Sequence, residues 1–121
     1  MTLEECYRQL GGDYAEVQSR IPGEMLVKKF IRAFLSDPSY AELNDAMNLK
    51  NRADAFRAAH TLKGVCANLG FETLRTSAGA LTEILRPAVE TIPQAAFPLW
   101  QSVRNDYRNT IDVISAFFEE A

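Results

Sequence analysis

The only histidine in the chain, His60, is the residue with the clearest chemical potential. Lys63 and Gly64 follow it by three and four positions, and residues with this spacing are neighbours on one face of a helix. A neutral imidazole is a nucleophile, and an exposed histidine is largely neutral near pH 7. Because a lysine one turn away could offset negative charge on a group attached to the ring, these residues form a candidate site for holding a phosphoryl group.

Gly64 and its neighbours predict that this face is open to another molecule. A glycine inside a helix costs roughly 1 kcal/mol relative to alanine, so Gly64 needs a reason other than helix stability. Access is such a reason, since neither Gly64 nor Ala67, about one turn further, would obstruct the imidazole. Phe56, one turn before His60, is a large apolar group on the same face and suggests a docking surface. A lone surface histidine, lysine or glycine can also be purely structural, and spacing alone does not exclude that interpretation.

The helix that must position these residues is predicted from Ala53 to Leu69. It ends at Gly70, the residue type expected at a left-handed helix C-terminus. At about 100° per residue, the apolar side chains gather on one side of this helix and His60 points away from them. The predicted buried stripe consists of Ala55, Ala58, Ala59, Leu62, Val65, Cys66 and Leu69.

The rest of the chain also has helical periodicity without an alternating strand pattern, which predicts an all-α fold. Thr2 with Glu5 forms a capping-box pattern for a first helix, and Asp13 is the expected cap of a second. Further helices are predicted over 23–35, 39–49 and 71–86, and after Pro98. The side chains predicted to face the core are Leu26, Phe30, Ile31 and Phe34 in the first of these helices, and Trp100, Val103, Tyr107, Ile111, Ile114 and Phe118 in the last. We therefore expect an antiparallel four-helix bundle with additional short N-terminal helices.

Length and composition fit one globular domain spanning residues 1–121. The net charge of -3 and the lack of a long basic run make nucleic acid an unexpected partner. The N-terminus lacks the features of a secretory signal, and no apolar run reaches the ~20 residues that span a bilayer. We therefore expect a cytoplasmic protein without a membrane partner. Cys6 and Cys66 lie far apart without a second histidine, which argues against a metal site.

The segment from Ala59 to Gly70 closely resembles the signature of histidine phosphotransfer (HPt) domains. That signature reads roughly H-x-L-K-G and, after four further residues, L-G. The likeness extends from about Leu26 to Arg86. It implies a four-helix bundle in which His60 accepts phosphate from a receiver-domain aspartate and passes it to another receiver domain. Lys63 would then steady the phosphoryl group, and Gly64 would make room for the receiver.

The chain departs from the family pattern at Val65 and Cys66 and at Thr82. Many relatives carry small or hydroxylated residues where this chain has Val65 and Cys66, and many carry an acidic or amide residue where it has Thr82. If the helices fold back about Gly70, position 81 or 82 lies level with His60, which supports a place for Thr82 near the site. The residues that we expect to contact a partner are Phe56, Ala67, Asn68, Gly79, Thr82 and Arg86.

The chain has no glycine-rich phosphate loop, no nucleotide-binding fingerprint and no acidic cluster for magnesium. We therefore expect a carrier without a cofactor, and not an enzyme in the usual sense, whose partner supplies the metal ion and the acidic pocket. One alternative is a helical adaptor that binds partners through Phe56 and its neighbours without being phosphorylated. A second alternative is the dimerised phosphotransfer module of a kinase, although no ATP-binding domain follows.

Overall fold

The computed structural model describes residues 1–120, which form seven α-helices joined by short connections. The helices are, in chain order, α1 (Leu3–Gln9), α2 (Tyr14–Arg20), α3 (Glu24–Phe34), α4 (Ser39–Asn48), α5 (Arg52–Leu69), α6 (Glu72–Leu85) and α7 (Ala96–Glu120). These residues contain no β-strand, so the prediction of an all-α fold is confirmed.

The helix ends follow from local side-chain and backbone chemistry. Thr2 and Glu5 form the predicted capping box at α1, and the Asp13 carboxylate accepts a hydrogen bond from the Ala15 amide at the start of α2. At the start of α5, the Asn51 side chain accepts a hydrogen bond from a backbone amide. Gly70 ends α5 with φ of 75°, in the left-handed region that favours glycine. The helix that carries His60 is therefore fixed at both ends.

Helices α4, α5, α6 and α7 form the four-helix bundle, in which each helix packs against the next. Connections of two or three residues reverse the chain between α4 and α5 and between α5 and α6, so these neighbours run antiparallel. Tyr40 of α4 stacks on Tyr107 of α7, with ring centroids 3.7 Å apart, and this contact closes the bundle. The predicted bundle architecture is therefore confirmed.

Arg52 ties the beginning of α5 to the end of α6. Its guanidinium donates hydrogen bonds to the carbonyl oxygens of Leu85 at 2.7 Å and Val89 at 2.6 Å. The Leu85 carbonyl lies in the last turn of α6 and has no partner within that helix, so Arg52 satisfies a group that would otherwise rely on water, whereas Val89 belongs to the loop that follows. This link holds the two helices together at the N-terminal end of α5.

The short helices α1 and α2 cover the opposite end of α5. The Tyr7 hydroxyl donates to the carbonyl oxygen of Leu69 at 2.7 Å. Arg20 donates to the carbonyl oxygens of Ala67 and Asn68, both at 3.1 Å. The additional N-terminal helices therefore complete the C-terminal end of the histidine helix.

The hydrophobic core draws residues from all seven helices of the described chain. Cys6 and Cys66 both lie in it, and burial raises the pKa of their thiols to about 11 and about 12, respectively. Both thiols therefore stay protonated near neutral pH. Within residues 1–120, no helix has the length and hydrophobicity needed to cross a membrane.

The facing of α3 differs from the prediction. Ile31 and Phe34 are buried as expected, but Leu26 and Phe30 keep 37% and 42% of their surface exposed. The helix instead buries Val27 together with Ile31 and Phe34, which are spaced four and three residues apart. The stripe is therefore rotated, and it leaves Leu26 and Phe30 on the surface.

Smaller differences concern α5 and α7. Val65, which was predicted to lie in the core, is only half-buried, at the edge of the buried stripe of α5. In α7 the residues Tyr107, Ile111 and Phe118 are half-buried, and the chain buries their neighbours Thr110, Val113 and Phe117 more deeply. Because α7 packs against both α6 and α1, its buried surface is broader than the single predicted stripe.

Candidate functional site

His60 lies near the middle of α5 and is exposed, as the facing of this helix requires. Its neighbours Ala59 and Leu62 are fully buried, which fixes the rotation of the helix and turns the imidazole outward. The Phe56 ring lies one turn earlier, with its centroid 6.0 Å from that of the imidazole and the two planes 18° apart. Phe56 thus forms one wall beside an otherwise open imidazole.

Lys63 lies along α6 and reaches the same face as His60. A Cβ atom added at Gly79 would lie 3.6 Å from both Cδ and Cε of Lys63, so the lysine stem passes directly over this glycine. Lys63 takes part in none of the ion pairs found within residues 1–120. Its ammonium group is therefore available to a new anion, and Gly79 supports the lysine stem.

Gly64 is exposed, and the space beside it is empty. A Cβ atom added there would have nothing within 4 Å outside its own helix backbone and its chain neighbours. Gly64 therefore does not relieve packing against another helix. Ala67 and Asn68, also exposed, continue this open surface toward the end of α5.

Thr82 does not lie on this surface, and the expectation that it contacts a partner is wrong. The side chain is fully buried, and its hydroxyl donates a hydrogen bond to the carbonyl oxygen of Ala78 at 2.7 Å. Helix α6 turns Ala78, Leu81 and Thr82 toward the core together. The next residue, Glu83, is exposed instead.

Glu83 is a site residue that the sequence did not reveal. Arg86 donates two hydrogen bonds to its carboxylate, from Nε at 3.1 Å and from a terminal nitrogen at 2.9 Å. The hydrogen bond from Arg86 lowers the pKa of Glu83, and electrostatic interactions with Arg86, Lys63 and His60 lower it further, against a smaller opposing effect of desolvation. The carboxylate therefore lies within electrostatic reach of both His60 and Lys63. A Glu–Arg pair three residues apart on a helix was the available sequence signal.

Arg86 also contacts the wall beside the imidazole. The carbon at the centre of its guanidinium lies 5.2 Å from the centroid of the Phe56 ring, a cation–π distance. The predicted residues Phe56 and Arg86 thus come together next to His60, which the spacing in the sequence could not establish.

A shallow apolar groove of about 610 Å³ lies between α3 and α5. Its walls include the exposed Leu26 and Phe30 from α3, and Val65 and Asn68 from α5. At about 100° per residue, Asn68 lies on the same flank of α5 as Gly64, so the groove continues the open surface near His60. Leu26 and Phe30, which were predicted to face the core, instead form part of the apolar surface of this groove.

A family model described as the Hpt domain matches residues 35–116, a region that includes α4, α5 and α6 and most of α7. The match covers more than half of the chain, and the helical bundle with its exposed histidine agrees with it. The chain therefore belongs to the Hpt domain family. Hpt domains are phosphotransfer carriers of two-component signalling that interact with receiver domains. Comparison with curated proteins and with solved structures yields no match.

Proposed function

We propose that this protein is a phosphorelay carrier that accepts a phosphoryl group from a receiver-domain aspartate on His60 and passes it to a second receiver. The imidazole lone pair attacks phosphorus, a P–N bond forms, and the P–O bond to the aspartate breaks with release of its carboxylate. Transfer to the second receiver reverses these changes. The observation that carries this proposal is the exposed His60 within the region that matches the Hpt family.

The surroundings of His60 support this role. The unpaired ammonium group of Lys63 can approach the phosphoryl oxygens from α5 itself. The empty space at Gly64 admits a receiver loop close to the ring. The receiver would contribute the metal ion and the acidic residues that phosphoryl transfer requires.

The proposed docking surface surrounds His60 and extends along α5. It comprises Phe56, Gly64, Ala67, Asn68 and Arg86, together with Leu26 and Phe30 of the apolar groove. An apolar groove beside a reactive histidine suits a partner that buries an amphipathic segment while its active site faces the ring.

The test is direct transfer from phosphorylated receivers. Receiver domains from the same cell are phosphorylated with radiolabelled acetyl phosphate, separated from the donor and incubated with the protein. Phosphate should move to this chain, be acid-labile and map to the peptide that contains His60. Failure of every receiver to transfer phosphate would contradict the proposal.

Removing the charge of Lys63 should shorten the life of phosphohistidine or slow its formation. Lys63→Met keeps the apolar stem over Gly79 and removes only the ammonium group. Loss of ~1 kcal/mol of electrostatic support would change the rate by about fivefold. Single-turnover transfer and phosphohistidine decay measure the effect. Lys63→Arg is the matched control because it keeps the charge, and equal rates in the parent and Lys63→Met would show that this lysine has no phosphoryl role.

Truncating Phe30 should weaken receiver binding without unfolding the protein. Phe30 is 42% exposed and lines the groove, so Phe30→Ala should raise the Kd for a receiver by about fivefold or more. Phe97→Ala is the matched control, because Phe97 is 38% exposed but belongs to the start of α7 and not to the groove. Titration calorimetry measures both. If the two variants bind alike, the groove is not part of the docking surface.

A further inference from the structure

Two cationic side chains lie near His60, and they differ in whether they are already bound to a carboxylate. Lys63 forms no ion pair within residues 1–120, whereas the guanidinium of Arg86 is held by both carboxylate oxygens of Glu83. Arg86, Phe56 and His60 form a continuous row, in which the guanidinium carbon lies 5.2 Å from the Phe56 ring and the two rings are 6.0 Å apart. The guanidinium is thus one aromatic ring away from the imidazole.

The Glu83–Arg86 pair is also free to rearrange. The side chains of Glu83 and Arg86 keep 60% and 50% of their surface exposed, respectively, so the pair is accessible to solvent and contributes little to stability. A phosphoryl group on His60 would bring about two negative charges to the same surface and would compete with the single charge of Glu83 for Arg86.

We infer that Glu83 is a positioning residue that withholds Arg86 from the phosphoryl group on His60 and thereby limits the lifetime of phosphohistidine. This inference rests on the proposed function of His60. A carrier must release its phosphoryl group, and a second cation bound to the phosphoryl oxygens would stabilise the loaded state. Glu83 keeps that cation engaged elsewhere and leaves Lys63 as the cation that supports the group.

The step affected is the loss of the phosphoryl group to water. A water oxygen attacks phosphorus, a P–O bond forms, and the P–N bond breaks. The ring nitrogen takes up a proton, and inorganic phosphate leaves. Protonation of the ring assists departure of the imidazole, and a nearby guanidinium disfavours that protonation while it neutralises the phosphoryl oxygens. Freeing Arg86 should therefore slow this reaction.

Helix α6 provides a matched control. Glu72 and Arg75 form an ion pair with the same three-residue spacing, and both are partly exposed. Glu72 lies eleven residues before Glu83, which is about 16 Å along the helix axis. Glu72→Gln therefore repeats the chemical change of Glu83→Gln on the same helix at a distance from the site.

The experiment loads the full chain with phosphoramidate, which donates its phosphoryl group to the ring and releases ammonia without any receiver. The decay of phosphohistidine is then followed by ³¹P NMR at fixed pH. Glu83→Gln should lengthen the half-life about two- to fivefold, the range expected for one exposed charge interaction, and raised salt should reduce the difference. Glu72→Gln should decay like the parent.

The same glutamate substitution, made in a protein that already carries Arg86→Met, shows whether Glu83 acts through Arg86. In Arg86→Met, the further change Glu83→Gln should leave the half-life unaltered, because no guanidinium remains to be released. An equal lengthening in both backgrounds would overturn the inference, since Glu83 would then act by its own charge. An unchanged half-life in Glu83→Gln would also overturn it while leaving the proposed function intact. If the parent protein takes up no more phosphate than His60→Gln, both the proposed function of His60 and the inference about Glu83 are contradicted.

Discussion

Replacing His60 by glutamine is expected to abolish phosphorylation by every receiver while leaving the fold intact. Glutamine is similar in size and polarity but has no nucleophilic ring nitrogen. The His60 side chain is exposed, and the buried Leu62 lies on nearly the opposite side of α5, so the free energy of unfolding should change by less than ~0.5 kcal/mol. Transfer from a radiolabelled receiver and urea denaturation, run on the same preparation, measure the two quantities.

The same variant separates the carrier from an adaptor. A carrier with glutamine at position 60 should still bind receivers, since the groove and most of the docking surface are unchanged, but it should fail to restore signalling in cells that lack the protein. An adaptor would signal normally with the variant. Phosphate that still reaches the chain in His60→Gln would contradict the assignment of His60 as the acceptor.

The orientation of the histidine helix could be predicted from the sequence because its apolar residues define a single side that can pack against the core. Ala55, Ala58 and Leu62 fall on one side at helical spacing, and all are buried. The observed capping residues, Asn51 and Gly70, lie within two residues of the predicted ends. The exposure of His60 and Gly64 followed from that facing, so this part of the candidate site required no tertiary information.

The facing of α3 could not be predicted in this way. Met25, Leu26 and Val27 are consecutive apolar residues, as are Phe30 and Ile31, so periodicity allows more than one buried stripe. Packing against the neighbouring helices selects Val27 and Ile31. Leu26 and Phe30 then remain as the apolar wall of the groove.

The α6 side of the site also depends on tertiary structure. Folding back about Gly70 sets the level of a residue relative to His60, but it does not set the rotation of α6 about its axis. A rotation by one residue, about 100°, exchanges Thr82 for Glu83 at the surface. The contact of Arg86 with Phe56 depends on the same rotation.

Replacing Gly64 by glutamine should move stability and function in opposite directions. The added Cβ meets no atom within 4 Å, and glutamine has a better helix propensity than glycine. The variant should therefore gain a few tenths to ~1 kcal/mol in its free energy of unfolding. Its side chain would, however, stand one turn from His60 in the space where we propose that the receiver approaches.

Phosphotransfer to Gly64→Gln should fall by about tenfold or more, because a side chain inside a closely packed contact cannot rotate out of the way. Gly64→Ala is the matched control, since it also removes the backbone cost of glycine but adds only a methyl group. Alanine should stabilise the fold at least as much as glutamine and reduce transfer far less. Thermal denaturation and single-turnover transfer from one receiver measure both effects on each sample.

The pair of variants distinguishes access from helix flexibility as the reason for the glycine. If a receiver needs the open space, transfer should decrease with side-chain size from glycine to alanine to glutamine while both variants remain more stable than the parent. If the site instead needs a flexible backbone, alanine and glutamine should impair transfer equally. Full activity in Gly64→Gln would show that the receiver does not approach this side of His60, and the docking surface would then have to lie toward Phe56 and Arg86.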